Sequence, residues 1–319
     1  MRNQSILVRV PATVGNLGGA QNQAALALDA SLNLKATLKT TGHLNIRYFG
    51  ENGERVPRDR TNLTARAFES ALHYRELEFT GVDFEVYSTI PVGFGLGSSA
   101  AAVWAGLVSA NLLSDLGLDE QAIFDLAGIF EPRAANLHAA WRGGMAARAK
   151  AGSDFDRVRV SQEFGVIVLV PSHTSQQSFG APVSGDGESS GQYRIATALA
   201  GYLSRPDSGK PQLTHSGPSG ATEDLSAVAE ILEAAGSPSL TSFLCGGGPA
   251  VGFLTRGLTP ESALSIQEDL IRRGLARKVW NFKPANSGAQ EWNDMAVTAP
   301  VPVEVGREQE FARAAQVSA

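Results

Sequence analysis

Residues 91–102 read PVGFGLGSSAAA. Gly93, Gly95 and Gly97 alternate with Val92, Phe94 and Leu96, and Ser98, Ser99 and a run of alanines follow. Before them, Leu77 to Tyr87 reads as a strand, with Val82, Phe84 and Val86 alternating with charge. After them, Ala100 to Leu116 reads as a buried helix that stops at Gly117. Bare backbone between a strand and a helix suits an anion. The first N–H groups of a helix lack partners, and the helix dipole adds positive potential there. Glycines let the backbone approach phosphate oxygens with no Cβ in the way. Ser98 and Ser99 can cap the helix, and one hydroxyl can reach a phosphate-bound metal. The stretch lacks the lysine of a Walker A loop, and no acidic residue ends a βαβ unit about 20 residues on, as a dinucleotide site requires.

Outward from this loop, SILVRVPA (5–12) reads as a strand ending at Pro11, and Leu44 to Tyr48 as another. Leu63, Ala67, Ala71 and Tyr74 share one helical face, with Thr61 or Asn62 as the N-cap. Helices are expected at 119–130, 133–142, 192–203, 224–235 and 260–273, and strands at 157–160, 165–170, 242–244, 250–254 and 277–282. The stretch 172–191 is polar and rich in Gly and Ser, a loop that could act as a lid; 204–221 is similar. Strands dominate early and helix–strand alternation comes later. That order favours an α+β protein of two lobes, divided here as 1–155 and 156–319, over a doubly wound parallel sheet.

The chain has 319 residues, 43% apolar and 18% charged, with a formal net charge of -5. A soluble globular protein is expected, with no nucleic-acid surface and no membrane partner. Cys245 stands alone, so no intrachain disulfide or cysteine-based zinc site can form. The five histidines are scattered. No signal peptide is visible, and a cytoplasmic location is the expectation.

The string P-x-G-x-G-L-G-S-S-A-A resembles the phosphate-binding motif of the GHMP kinases, and other segments are similar to homoserine kinase within that superfamily. VRVPATVGNLGGAQNQAALALD (8–29) is similar to that family's opening segment. RTNLTARAF (60–68) resembles its T-N-L segment, FEPRAANLHAAWRGG (130–144) its E-G-H-P-D-N segment, and FLCGGGPAVGFL (243–254) its S-G-S-G-P-T-V loop. The resemblance implies a two-lobed GHMP kinase fold, with an N-terminal lobe like ribosomal protein S5 domain 2 and a ferredoxin-like α/β C-terminal lobe. It implies ATP and Mg²⁺ as cofactors. Pro91, Gly93, Gly95, Leu96, Gly97, Ser98, Ser99 and Ala100 would hold the nucleotide phosphates, Asn62 would sit by the adenine, and Ser99 with Glu131 would hold Mg²⁺.

The acceptor half departs from that pattern. Asn16 and Asn136 match it. The family's F-D is Gln21-Asn22, so a substrate-side carboxylate has become an amide. Its H-P-D-N is Arg133-Ala134-Ala135-Asn136, and no arginine follows in PSHTSQQSFGAPV (171–183). An ammonium group wants a carboxylate, and a carboxylate wants an arginine. Homoserine itself is therefore not the expected acceptor. Arg133 adds positive charge that could bind an anionic acceptor or stand near the γ-phosphate. Asn16, Asn136 and Arg133 are the expected catalytic residues; with Asn22 they form the expected substrate set. His138, Trp104 and Trp141 are expected to pack, and Cys245 to be a small buried residue.

The expected activity is transfer of phosphate from ATP to a hydroxyl of a small amino-acid-like metabolite, with a homodimer as one option for assembly. The competing expectation is a homologue that has lost phosphotransfer and binds a ligand or runs another reaction. A sugar or mevalonate-type kinase is disfavoured, because no Asp stands at Ala135 or Asn136.

Overall fold

The computed structural model describes residues 5–172, 190–208, 210, 211, 213 and 222–291. The first sheet starts with β1 (Ser5–Gly15), β2 (Ala24–Leu38), β3 (Leu44–Gly50) and, after helix α1 (Leu63–Tyr74), β4 (Val82–Ser88). Their spatial order is β1-β2-β4-β3, antiparallel except for the parallel β3–β4 pair. On β1, Val8, Val10, Ala12 and Val14 are fully buried, the two-residue period that fixes which face meets the helices. The strand expected to end at Pro11 runs on to Gly15. Its register with β2 shifts between Pro11 and Ala12, a bulge where the missing proline N–H breaks no ladder.

Helices α2 (Ser98–Leu113), α3 (Glu120–Phe130) and α4 (Ala134–Arg142) follow. Helix α2 is apolar around nearly its whole circumference and is buried accordingly, between the sheet and α1, α3 and α4. Trp104 is its anchor. It is fully buried, stacks on Trp141 at 4.6 Å, and donates its indole N–H to the Leu137 carbonyl at 3.0 Å. Strands β5 (Met145–Arg148) and β6 (Phe155–Val158) extend the same sheet from β2.

Beyond them come β7 (Phe164–Pro171), α5 (Ser190–Ser204), α6 (Thr222–Ala234), β8 (Ser239–Leu244), β9 (Val251–Arg256), α7 (Pro260–Arg272) and β10 (Ala276–Phe282). The four strands form a second, antiparallel sheet in the order β10-β7-β9-β8. Strand β7 is buried throughout. Its Ile167 and Leu169 meet α6 and α7, and its Val166, Val168 and Val170 join the core shared with the first lobe. The second sheet thus lies between its own helices and the first lobe, which makes an α+β molecule of two lobes.

The chain then returns. A short strand β11 (Gln290–Glu291) pairs with β1 at the edge of the first sheet. Backbone bonds tie Ala285 to Ala27 and Gly144, and Ala289 to Ala140. A division at 155/156 therefore cuts β6 after its first residue and leaves β11, also of the first sheet, on its far side. The cause is tertiary: β11 is two residues of edge pairing with no periodicity of its own. The expected loop at 172–191 lies outside the described residues over 173–189, as does most of 204–221. No helix among the described residues is long and apolar enough to cross a membrane.

Candidate active site

The glycine loop lies where the two lobes meet. Strand β4 stops at Ser88 and α2 starts at Ser98. The N-cap of α2 is Gly97, at φ 73°, and no side chain caps the helix. The serine cap expected from the sequence is therefore absent: Ser98 and Ser99 are the first two helical residues, one position too late to cap. The first-turn N–H groups therefore have no side-chain cap, which is the condition an anion site needs.

Backbone packing sets the course of the loop. The Thr13 N–H donates to the Leu96 carbonyl at 3.1 Å. A Cβ on Gly97 would stand 2.1 Å from Thr13 Oγ1, and one on Gly95, at φ 75°, would stand 1.8 Å from the Cys245 carbonyl oxygen. Only glycine fits these two positions. Phe94 packs on Trp280 of β10, ring centres 4.9 Å apart. Trp280 donates to Glu51 Oε2 at 3.3 Å, Glu51 Oε1 pairs with Lys278, and Asn52 holds the Val92 carbonyl at 3.1 Å. Pro91, Leu96 and Ala100 are buried, and Gly93 is exposed next to the Arg55 guanidinium. The Cys245 thiol is fully buried, and desolvation pushes its pKa up. It is a packing residue, not a nucleophile.

Three of the expected acceptor residues, Asn22, Arg133 and Asn136, meet at the start of α4, and Asn16 contacts the end of β8 instead. Asn136, 5% exposed, donates to Thr13 Oγ1 at 2.9 Å. Its Oδ1 makes no hydrogen bond among the described residues, and a Cβ on Gly15 would lie 2.7 Å from it. Asn22 accepts from the Ala135 N–H at 3.4 Å. That bond gives α4 the cap its own N-cap residue, Arg133, does not provide. Asn16, in the left-handed region at φ 63°, reaches across to the Leu244 carbonyl at 3.3 Å. The Glu131 side chain is 4% exposed; its Oε1 accepts from the Arg133 N–H at 3.1 Å and pairs with Arg133 Nε at 3.2 Å.

Asn62 has another task in this structure. Its Oδ1 accepts from the Thr64 and Ala65 N–H groups, and its Nδ2 donates to the Pro57 carbonyl at 2.8 Å. The carboxamide expected beside the adenine is thus committed to capping α1 and pinning the loop before it. His138 packs between Phe124 (4.3 Å) and Phe155 (4.7 Å). Burial, then the nearby Arg142 and Arg148 charges, lower its pKa to about 4. Two residues of this site were not singled out from the sequence. Thr13 is a lone buried hydroxyl on an apolar strand, and only its position between Gly97 and Asn136 gives it meaning. Arg55 lies far from the loop in sequence and reaches it through the turn at 51–55.

The arrangement can be set against known proteins. The family model for the GHMP kinases N terminal domain matches residues 62–144, from the cap of α1 through the glycine loop to the end of α4. A solved structure of homoserine kinase from Cytophaga hutchinsonii superposes with a TM-score of 0.70 over 92% of this chain and 98% of that one, at 20% identity. The fold is that of the GHMP kinases. The sequence likeness is to homoserine kinases. The chain is 34% identical to the homoserine kinase of Corynebacterium aurimucosum over 138 residues, 43% of this chain and 45% of that protein. It is 36% identical to that of Trichormus variabilis over 140 residues, 44% and 46%. The alignments thus span about half the length of these curated relatives. In this GHMP kinase fold the matched segment contributes the glycine loop and α4, while Trp280 and Cys245, which brace the loop, come from the second sheet and the turn after β8.

Proposed function

We propose that this chain is an ATP-dependent transferase resembling homoserine kinase, which moves the γ-phosphoryl group to a hydroxyl of a small amino-acid-like metabolite. The observation that carries the reading is the uncapped start of α2 behind a glycine loop whose path is set by backbone contacts. Phosphoryl transfer asks a protein mainly to position two reactants and neutralise charge. In this reading the loop from Gly93 to Ala100 receives the phosphates, Pro91 fixes its entry, and the α1 start at Asn62 borders the base. The Asn136 Oδ1 is the group that would accept from the acceptor hydroxyl and orient it, with Asn16 and Asn22 around the remainder of the acceptor and Arg133 on the side facing the phosphates.

Ser99 and Glu131 fit a hydrated Mg²⁺. Both contacts of Glu131 use Oε1, and Oε2 makes no hydrogen bond among the described residues. One carboxylate and one hydroxyl leave most of the coordination shell to water and phosphate, as Mg²⁺ prefers. The ion would supply charge neutralisation at the phosphate oxygens. Amino-acid metabolism in the cytoplasm, and assembly as a homodimer, belong to the same proposal.

The test is ADP release by the purified full chain with Mg-ATP and a panel of hydroxylated amino acids and their deaminated analogues. At least one acceptor should raise ADP formation well above the acceptor-free background. Silence across the panel, together with no detectable binding of ATP, would overturn the assignment.

A further inference from the structure

We infer that Arg133 is a γ-phosphate ligand of this chain, a guanidinium held over the transfer site by Glu131. The inference rests on the proposed triphosphate in the glycine loop. Three observations carry it.

First, the arginine is placed. It directly precedes α4, and its backbone N–H and its Nε both bind Glu131 Oε1. That carboxylate is 4% exposed, so it has little freedom to follow a wandering side chain. Two bonds from one buried acceptor fix the root of the side chain and the plane of the guanidinium together.

Second, the arginine points at the junction of the two glycine loops. Arg133 Nη1 would lie 2.7 Å from a Cβ on Gly246, and the same Cβ would lie 3.1 Å from the Gly95 Cα. Gly246 thus leaves the space in which the guanidinium comes close to the loop that would hold the phosphates.

Third, its donors are unspent. The arginine side chain is 45% exposed, and neither Nη group makes a hydrogen bond among the described residues. A planar fork with Nε satisfied and both Nη groups open is the geometry for phosphate oxygens. Glu131 is then a positioning residue through Oε1, while its Oε2 remains for a cation. Charge spreads onto the equatorial oxygens of the transferring group, and a cation held there lowers the barrier.

The experiment is calorimetric titration of the full chain and its variants with ADP and with a nonhydrolysable ATP analogue, both with Mg²⁺. No acceptor is needed. For Arg133→Gln, affinity for the triphosphate should fall about tenfold to a hundredfold, the loss of a charge-assisted contact. Affinity for ADP should hold within about twofold, which also reports a folded protein. Arg133→Lys keeps the charge without the fork and should fall between. Glu131→Gln should lose preference for the triphosphate in the same direction. Equal affinity losses for the two nucleotides in Arg133→Gln, or no loss for either, would overturn the role while leaving the kinase reading intact. A wild-type chain that binds neither nucleotide would overturn that reading itself.

Discussion

The two halves of the candidate site are built by different means. The proposed nucleotide half is made mainly of backbone: Gly95 on the Cys245 carbonyl, Gly97 on Thr13, Leu96 bonded to Thr13, with Phe94 wedged on Trp280. The proposed acceptor half is made of side-chain contacts: Asn136 with Thr13, Asn22 with the Ala135 N–H, Glu131 with Arg133. Backbone packing tolerates almost no substitution, because a Cβ has nowhere to go. Side-chain pairs can be exchanged one at a time at a local cost. Departures from the homoserine kinase pattern sit where the architecture can absorb them.

Gly95→Ala should give the largest effect. The new Cβ would collide with a carbonyl oxygen at a φ that L-residues avoid, so nucleotide binding should vanish in calorimetry and stability should drop by about 2–4 kcal/mol in denaturant titration. Thr13→Val touches both halves. It removes the hydroxyl that receives Asn136 and leaves that buried amide unpaired, at about 1–3 kcal/mol. Turnover should fall at least tenfold while ADP affinity holds; a matching loss of ADP affinity would erase the contrast between the halves.

His138, on α4, probes through pH the helix that carries the proposed acceptor residues. Its folded pKa of about 4 lies below the ordinary value of 6.5. Between these values the unfolded chain binds the extra proton, so this contribution is fully present above pH 6.5 and is lost as pH falls towards 4. Partial exposure of the ring limits the loss to about 1–2 kcal/mol. His138→Phe should flatten the slope of melting temperature against pH in that window. The smallest effect is expected for Asn22→Asp. A carboxylate there can still accept from the Ala135 N–H and adds a partner for an ammonium, so KM for amino-bearing acceptors should fall about threefold to tenfold with nucleotide affinity unchanged.

Much of this contrast was legible in the sequence, and unevenly. The glycine spacing at 93–97 and the apolar run of α2 announce themselves, because local backbone demands leave local signatures. The cap of α1 was readable too, since Asn62 precedes an amphipathic repeat; its bonding to Pro57 and Thr64 was not, and the capping use competes with the expected base contact. Strand β2 hid because Ala24 to Leu28 is buried on both faces and shows no alternation. The Glu131–Arg133 pair is two residues apart in the chain, yet its aim at Gly246 depends on how the turn after β8 meets α4. Thr13 is the extreme case: a hydroxyl whose role exists only once strand, loop and helix are together.

The return of residues 283–291 to the first sheet has a consequence for biosynthesis. Lys283, Ala285 and Ala289 bond to Asp29, Ala27 and Ala140, and β11 closes the β1 edge. While the chain is still emerging from the ribosome, those backbone groups stay open to water or to a wrong neighbour. The first lobe to be translated is finished by nearly the last described residues to be made, and a nascent chain stalled before residue 283 should remain a client of chaperones, however complete its glycine loop.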